Sequence, residues 1–259
     1  MSISKNVEEE ELKLWADSND KYNYLYPNIN DKAFNRKIAE KQEFSDTKYK
    51  GELVDINEES KRLCDPANFE LAPHQQFVKN FLSYNTPYNS LLLYHGLGSG
   101  KTCSAIGVAE EMRDYIKHLD VNKKIIIVAN PNVLENFRLQ LFDERKLEQI
   151  NHTWNIKNCI GNKLLKEINP LNIQGLTKEK IIKLMNNLID KYYSFFGYLK
   201  FANDIEKITI LSSDSKNKDA IIKKKLEKEY KNTLLIIDEF HNIKNTNDTS
   251  KLIYDKKKK

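Results

Sequence analysis

The chain has 259 residues, 40% hydrophobic and 31% charged, enough apolar material for a sizeable core, which excludes disorder as a whole. Its formal charge of +5 carries no nucleic-acid signal, because Lys256, Lys257, Lys258 and Lys259 supply four of the five charges and the remainder is nearly neutral. The three cysteines, Cys64, Cys103 and Cys159, are widely spaced and form no CxxC pair, so neither a disulfide framework nor a zinc cluster is expected and a reducing compartment fits.

The N-terminus carries Glu8, Glu9, Glu10 and Glu11 where a secretory leader would be basic and then apolar. No run approaches the ~20 apolar residues of a membrane span, so a cytoplasmic protein without a membrane partner is expected. Residues 1–65, with Tyr22, Tyr24, Tyr26 and Pro27 scattered through them, lack sustained periodicity and read as an arm or irregular subdomain. Residues 66–259 read as one domain. Its elements are, in order, a helix over Gln75 to Tyr84, a buried strand over Ser90 to Tyr94, a helix over Lys101 to Lys117 and a strand over Ile125 to Ala129. A helix over Leu134 to Leu147 follows, then a loop-rich stretch from Asn151 to Thr177. A helix over Lys178 to Tyr193, a strand over Ile208 to Leu211, a charged helix over Ala220 to Tyr230 and a buried strand over Leu234 to Ile237 complete the series. Short apolar strands alternating with helices specify an α/β fold with a mostly parallel sheet flanked by helices.

Two motifs carry chemistry. The first, Leu91 to Thr102, runs from the apolar strand through Gly96, Gly98, Ser99 and Gly100 into the helix that starts at Lys101. Glycines let the backbone approach a ligand closely, successive N–H groups cradle phosphate oxygens, and the helix N-terminus adds a favourable dipole. Lys101 then reaches the β- and γ-phosphates of ATP, and the Thr102 hydroxyl ligates Mg²⁺. One departure stands out: the usual Gly-x-x-x-x-Gly-Lys-[Ser/Thr] spacing puts a glycine where this chain has His95, with Gly96 one place late. A glycine-rich turn that binds nothing is the bland alternative.

The second motif is the strand Leu234 to Ile237 ending in Asp238 and Glu239. Parallel sheets present ligands at the carboxyl ends of their strands, so Asp238 is expected to hold Mg²⁺ and Glu239 to orient and deprotonate the attacking water. Acidic residues also begin surface turns and cap helices, and alone this pair would be ambiguous. Together the two motifs supply a phosphate cradle and a metal and water site in the expected order.

With both motifs in hand, the sequence resembles superfamily 2 helicases of the DExH type, and most closely the SNF2-like helicases of giant DNA viruses related to poxvirus nucleoside triphosphatase I and early transcription factor. The resemblance covers about Glu70 to Asn245 and includes Leu71 to Gln76, Leu91 to Thr102, Val128 to Phe137, Phe195 to Asn203 and Leu234 to Asn245. It implies a RecA-like P-loop NTPase domain, the first of a pair, with ATP and Mg²⁺ as ligands. It further implies that Gln75 reads the adenine edge, although Gln76 leaves that assignment open. By the same resemblance Asn130 and Pro131 track the nucleic-acid backbone, with a simple turn into a helix as the alternative, and His241 couples nucleotide state to a partner domain. The family's second RecA-like domain, in cis or in trans, is not encoded within residues 1–259, so a truncated or split gene product is expected. Weak binding to nucleic acid, most readily DNA, a place in viral transcription machinery, and location in a viral factory or virion complete what the resemblance implies. A non-hydrolysing, nucleotide-dependent interaction module is the competing reading.

Overall fold

The computed structural model describes residues 25–49, 51, 55, 57, 71–96, 98–118, 123–150, 152–170, 176–210 and 218–242. The acidic N-terminus, Tyr22, Tyr24, Cys64, Leu97 and the terminal lysines lie outside the described residues. The chain gathers into two compact units, one drawn from residues 1–122 and 137–189, the other from 123–136 and 190–259. Among the described residues, no helix is long and apolar enough to cross a membrane.

In the first unit, two short helices, α1 (Phe34–Ala39) and α2 (Gln42–Ser45), pack on α3 (Pro73–Phe81). Aromatic side chains make that contact. Phe44 and Ile38 are buried with Phe81 and Tyr88, and the Phe81 and Tyr88 rings stack at 4.4 Å. Offset and edge-on ring pairs of this kind add to the area they bury. Polar groups fix the arrangement: the Tyr88 hydroxyl donates to the Pro27 carbonyl at 2.8 Å, and Asn80 Nδ2 donates to the Glu43 carbonyl at 2.7 Å. Residues 25–49 are thus packed against the helix that carries Gln75.

Next comes α4 (Lys101–His118), whose buried residues include Ile106, Ala109, Arg113 and Ile116, the spacing of one helical face. The unit also holds a hairpin of β2 (Leu147–Ile150) and β3 (Thr153–Ile156), paired antiparallel, then α6 (Lys163–Ile168) and most of α7 (Lys178–Tyr192). Ile181, Met185 and Ile189 recur every four residues along α7 and are buried. The helix between the two units in sequence, α5 (Pro131–Leu141), opens on a proline at its first position, where no N–H partner is lost.

The second unit is built on a three-stranded parallel sheet in the order β4-β1-β5: β1 is Ile125–Val128, β4 Tyr193–Phe196 and β5 Leu235–Ile237. In register, Val128 stands opposite both Phe196 and Ile237, so the three strands end level with one another. Ile125, Ile127 and Val128 of the central strand are fully buried, as a strand covered on both faces requires. Helices α8 (Tyr198–Ile210) and α9 (Lys218–Tyr230) follow β4, and Phe201 of α8 touches Phe196 and Tyr230 with ring centroids 6.0 Å apart in each pair. The architecture is the expected α/β one, a parallel sheet flanked by helices.

Several local expectations are corrected. Residues 90–96 form no strand: Leu92 is 75% and Tyr94 93% exposed, and the only ladder among the described residues of the first unit is the β2–β3 hairpin. An apolar run becomes a buried strand only where neighbours complete its ladder. Ile208 to Ile210 close α8 instead of forming a strand, because the apolar pattern from Tyr198 onward continues at helical spacing. Helix α5 starts at Pro131 and stops at Leu141, six residues short of the expected end, where Asp143 accepts from the Arg145 backbone and turns the chain into β2. The cysteines are also corrected, since Cys103 and Cys159 are disulfide-bonded with Cα atoms 5.2 Å apart. They lie 56 residues apart in sequence, so spacing gives no sign of the pairing that tertiary packing creates.

Candidate active site

The glycine-rich turn at the start of α4 is held in a specific shape by its own sequence. Gly98 has φ +76° and Gly100 φ +75°, left-handed values that glycine adopts without steric cost. At Gly100 a second constraint applies, because a Cβ there would stand 2.4 Å from Gln75 Nε2. Lys101 folds back over the turn and donates its ammonium protons to the carbonyls of His95 at 3.0 Å and Gly96 at 3.1 Å. Ser99 Oγ donates to the Gly96 carbonyl at 2.9 Å. An ammonium group, left-handed glycines and a helix N-terminus in one loop suit an anionic oxygen ligand.

Residues preceding the turn by about 25 positions reach into it. Gln75 Nε2 donates to the Gly100 carbonyl at 3.3 Å while its Oε1 accepts from the Ala72 backbone at 3.1 Å. Gln76 turns elsewhere and donates to Asn80 Oδ1 at 2.7 Å. Of the two adjacent glutamines, Gln75 is therefore the one at the loop, with both ends of its amide engaged by protein. His95, where the usual pattern has glycine, sets its ring edge-on to His74 at 5.6 Å, and its Nδ1 is buried with no hydrogen-bond partner among the described residues.

Helix α4 is anchored beyond its first turn. Cys103, next to Thr102, is bonded to Cys159. Farther along, the fully buried Arg113 donates to both oxygens of Glu110 at 2.8–3.0 Å and through Nη1 to Glu167 of α6 at 2.8 Å. Lys117 donates to the other Glu167 oxygen at 2.9 Å. Burial pushes the Glu167 carboxyl up, but the hydrogen bonds from Lys117 and Arg113 outweigh it and hold the group below the usual carboxylate range. Neither His74 nor this network was visible as a functional feature in the sequence. A lone histidine and a scatter of charges on a helix have no distinguishing spacing.

In the second unit the carboxyl ends of the strands bring Asn130, Pro131 and Asp238 to one edge of the sheet. The Asp238 N–H donates to the Val128 carbonyl at 3.0 Å, and the Ala129 N–H to the Phe196 carbonyl at 3.1 Å, which extends both ladders past the last paired residues. The Tyr198 hydroxyl, from the start of α8, donates to the Asp238 carbonyl. Asn130 accepts from the backbone of Val133 and Leu134, so it opens α5. Glu239 adopts φ +45°, an uncommon left-handed value for a residue with a side chain, and turns the chain off the strand. Its carboxylate is exposed and lies 3.2 Å from His241 Nδ1, a pair that is ionic when the imidazole is protonated.

Residues 68–259 match the family model ResIII, described as the res subunit of type III restriction enzymes. A protein of Acanthamoeba polyphaga mimivirus that carries the name of an ATP-dependent RNA helicase, R563, is 32% identical over 219 residues, 84% of this chain and 31% of its own length. A Frog virus 3 protein named as a helicase is 26% identical over 172 residues, 66% of this chain and 15% of its own. An African swine fever virus protein, named an early transcription factor large subunit homolog, is 26% identical over 173 residues, 61% of this chain and 15% of its own. The chain therefore spans less than a third of the length of these relatives. No solved structure matches it.

Proposed function

Because the chain belongs to the ResIII family, among the superfamily 2 helicases of giant DNA viruses, we propose that it is the ATP-binding module of a nucleic-acid-dependent ATPase that works in viral transcription. The observation that carries the reading is the turn at 96–102, with two left-handed glycines and the Lys101 ammonium folded across it. On binding, Lys101 exchanges the His95 and Gly96 carbonyls for β- and γ-phosphate oxygens, and the loop N–H groups take the remaining phosphate charge. Thr102 offers its hydroxyl to Mg²⁺, which favours one or two protein oxygens together with substrate phosphates and supplies charge neutralisation when bound. Asp238, at the end of β5, is the proposed carboxylate ligand, and Glu239, turned off the strand by its left-handed backbone, orients the attacking water. Gln75 is the proposed contact to the base, for which its amide would leave Ala72 and Gly100, and Asn130 and Pro131, after β1, are the proposed contacts to the nucleic-acid backbone. His241, 3.2 Å from Glu239, is the proposed link between nucleotide state and a second RecA-like domain.

That second domain, in cis or in trans, is the proposed source of the arginine that stabilises transition-state charge, worth about 10³ to 10⁵ in rate. Residues 1–259 are accordingly expected to bind MgATP and to hydrolyse it slowly. The names of the relatives, RNA helicase and early transcription factor subunit, favour viral transcription as the setting, and a cytoplasmic viral factory is the proposed location. Calorimetric titration with MgATP tests the site: binding by the unaltered chain and its loss in Lys101→Ala are expected, and equal affinity of the two would refute it. Turnover measured with single-stranded DNA, duplex DNA and RNA tests the rest, since robust stimulation of residues 1–259 alone would remove the need for a second domain.

A further inference from the structure

We propose that His74 is a positioning residue for the phosphate loop, held in turn by Tyr49, so that the segment before α3 contributes to nucleotide affinity. The inference rests on the nucleotide-binding reading of residues 96–102. His74 Nε2 lies 2.8 Å from the Ser99 carbonyl oxygen, and His74 Nδ1 lies 2.9 Å from the Tyr49 hydroxyl. A carbonyl only accepts, so Nε2 carries a proton and donates it, and in the neutral ring Nδ1 is left to accept the Tyr49 proton. The chain Tyr49 to His74 to Ser99 therefore has a direction, and each bond selects the tautomer that the other needs.

The target of that chain is the peptide between two left-handed glycines. Ser99 sits between Gly98 and Gly100, and fixing its carbonyl fixes the orientation of the next N–H, on Gly100, which faces away from that carbonyl. Gln75, one residue on, takes the Gly100 carbonyl in the same way, so two consecutive residues of α3 hold two consecutive carbonyls of the loop. His95 adds the third side: its ring stands edge-on to His74 at 5.6 Å, so the residue that departs from the usual glycine spacing packs against the one that holds the loop. Tyr49 is 69% exposed, and its share is smaller than that of His74.

Titration of residues 1–259 with MgATP, read by calorimetry, tests this with five variants. His74→Ala is expected to weaken binding about tenfold, the ordinary cost of removing one partner of an ordered polar pair. His74→Gln, whose amide nitrogen can reach the Ser99 carbonyl, is expected to recover most of that loss. Tyr49→Phe is expected to weaken binding about twofold, and the double variant His74→Ala with Tyr49→Phe no more than His74→Ala alone, because the two act through one chain of bonds. Lys101→Ala is the control. If Lys101→Ala binds like the unaltered chain, the nucleotide reading falls and this proposal with it. If Lys101→Ala loses binding while His74→Ala keeps it, the nucleotide reading stands and the positioning role is overturned. Equal losses in His74→Ala and His74→Gln, or additive losses in the double variant, would likewise overturn it, since a restored donor would then have no effect or the two residues would act independently.

Discussion

The phosphate loop and the strand-end carboxylates are stabilised in opposite ways. The loop owes its shape to side chains: Lys101, His74 and Gln75 all donate to its carbonyls, and α4 behind it is tied by a disulfide and by Arg113. Asp238 is held by backbone register, through the ladder to Val128 and the level ends of three parallel strands, and the Tyr198 hydroxyl donates to its carbonyl. A ladder bond forms whatever the side chain, so a strand end tolerates substitution around it. A loop without a ladder depends on particular residues at particular positions.

The largest effect that would sharpen this contrast is at the buried arginine. Glu110→Ala leaves Arg113 without the carboxylate that accepts from both its Nε and its Nη2, and breaking a buried pair from one side costs about 3–5 kcal/mol. Urea denaturation is expected to show that loss, and a change under about 1 kcal/mol would mean that α4 is held by packing alone. The same anchor has an acid limit. Glu167 has a folded-state pKa below its ordinary value, so its contribution is fully present above the usual carboxylate range and is lost as pH falls through the lowered value.

Next in size is the disulfide. Closing 56 residues constrains the unfolded chain by about 4 kcal/mol in the chain-entropy account, with measured values more often 2–4. Cys159→Ser is expected to lower the melting temperature, and dithiothreitol to lower that of the unaltered chain to a similar value while leaving Cys159→Ser where it is. Identical melting with and without the reductant would count against the bond as a support of α4. Smallest is Tyr198→Phe, which removes one hydrogen bond to the Asp238 carbonyl and is expected to cost about 1 kcal/mol in the same denaturation measurement. A loss as large as that of Glu110→Ala would break the comparison, because the carboxylate end would then depend on side chains as the loop does.

What could be read beforehand follows the same division. Gly98, Gly100, Lys101 and Thr102 announce a turn into a helix because only glycine takes the two left-handed positions without strain, and α4 begins at Lys101 as expected. The run Leu234 to Ile237 announces a strand through its apolar, β-branched residues, and β5 lies within it, but the expected burial is not met: β5 ends the strand order and Leu235 is 43% exposed. His74 was not legible, since its role arises from a contact 25 residues away, and neither was the Cys103–Cys159 pair. Strand β4 was missed as Tyr193-Ser194-Phe195-Phe196, whose aromatic residues continue the pattern of the preceding helix. The converse error at residues 90–94 has the same origin. Periodicity reports what a segment could bury, and only the arrival of neighbouring strands decides whether it does.

Thr102 has, as its next residue, one half of a covalent crosslink. The thiol content of a buffer therefore selects between two chemical species that differ at the residue next to the proposed metal ligand. Nucleotide affinities taken with and without dithiothreitol belong to different molecules, and a preparation oxidised in part holds a mixture of both. Titration of free thiols alongside each affinity measurement assigns every value to its species.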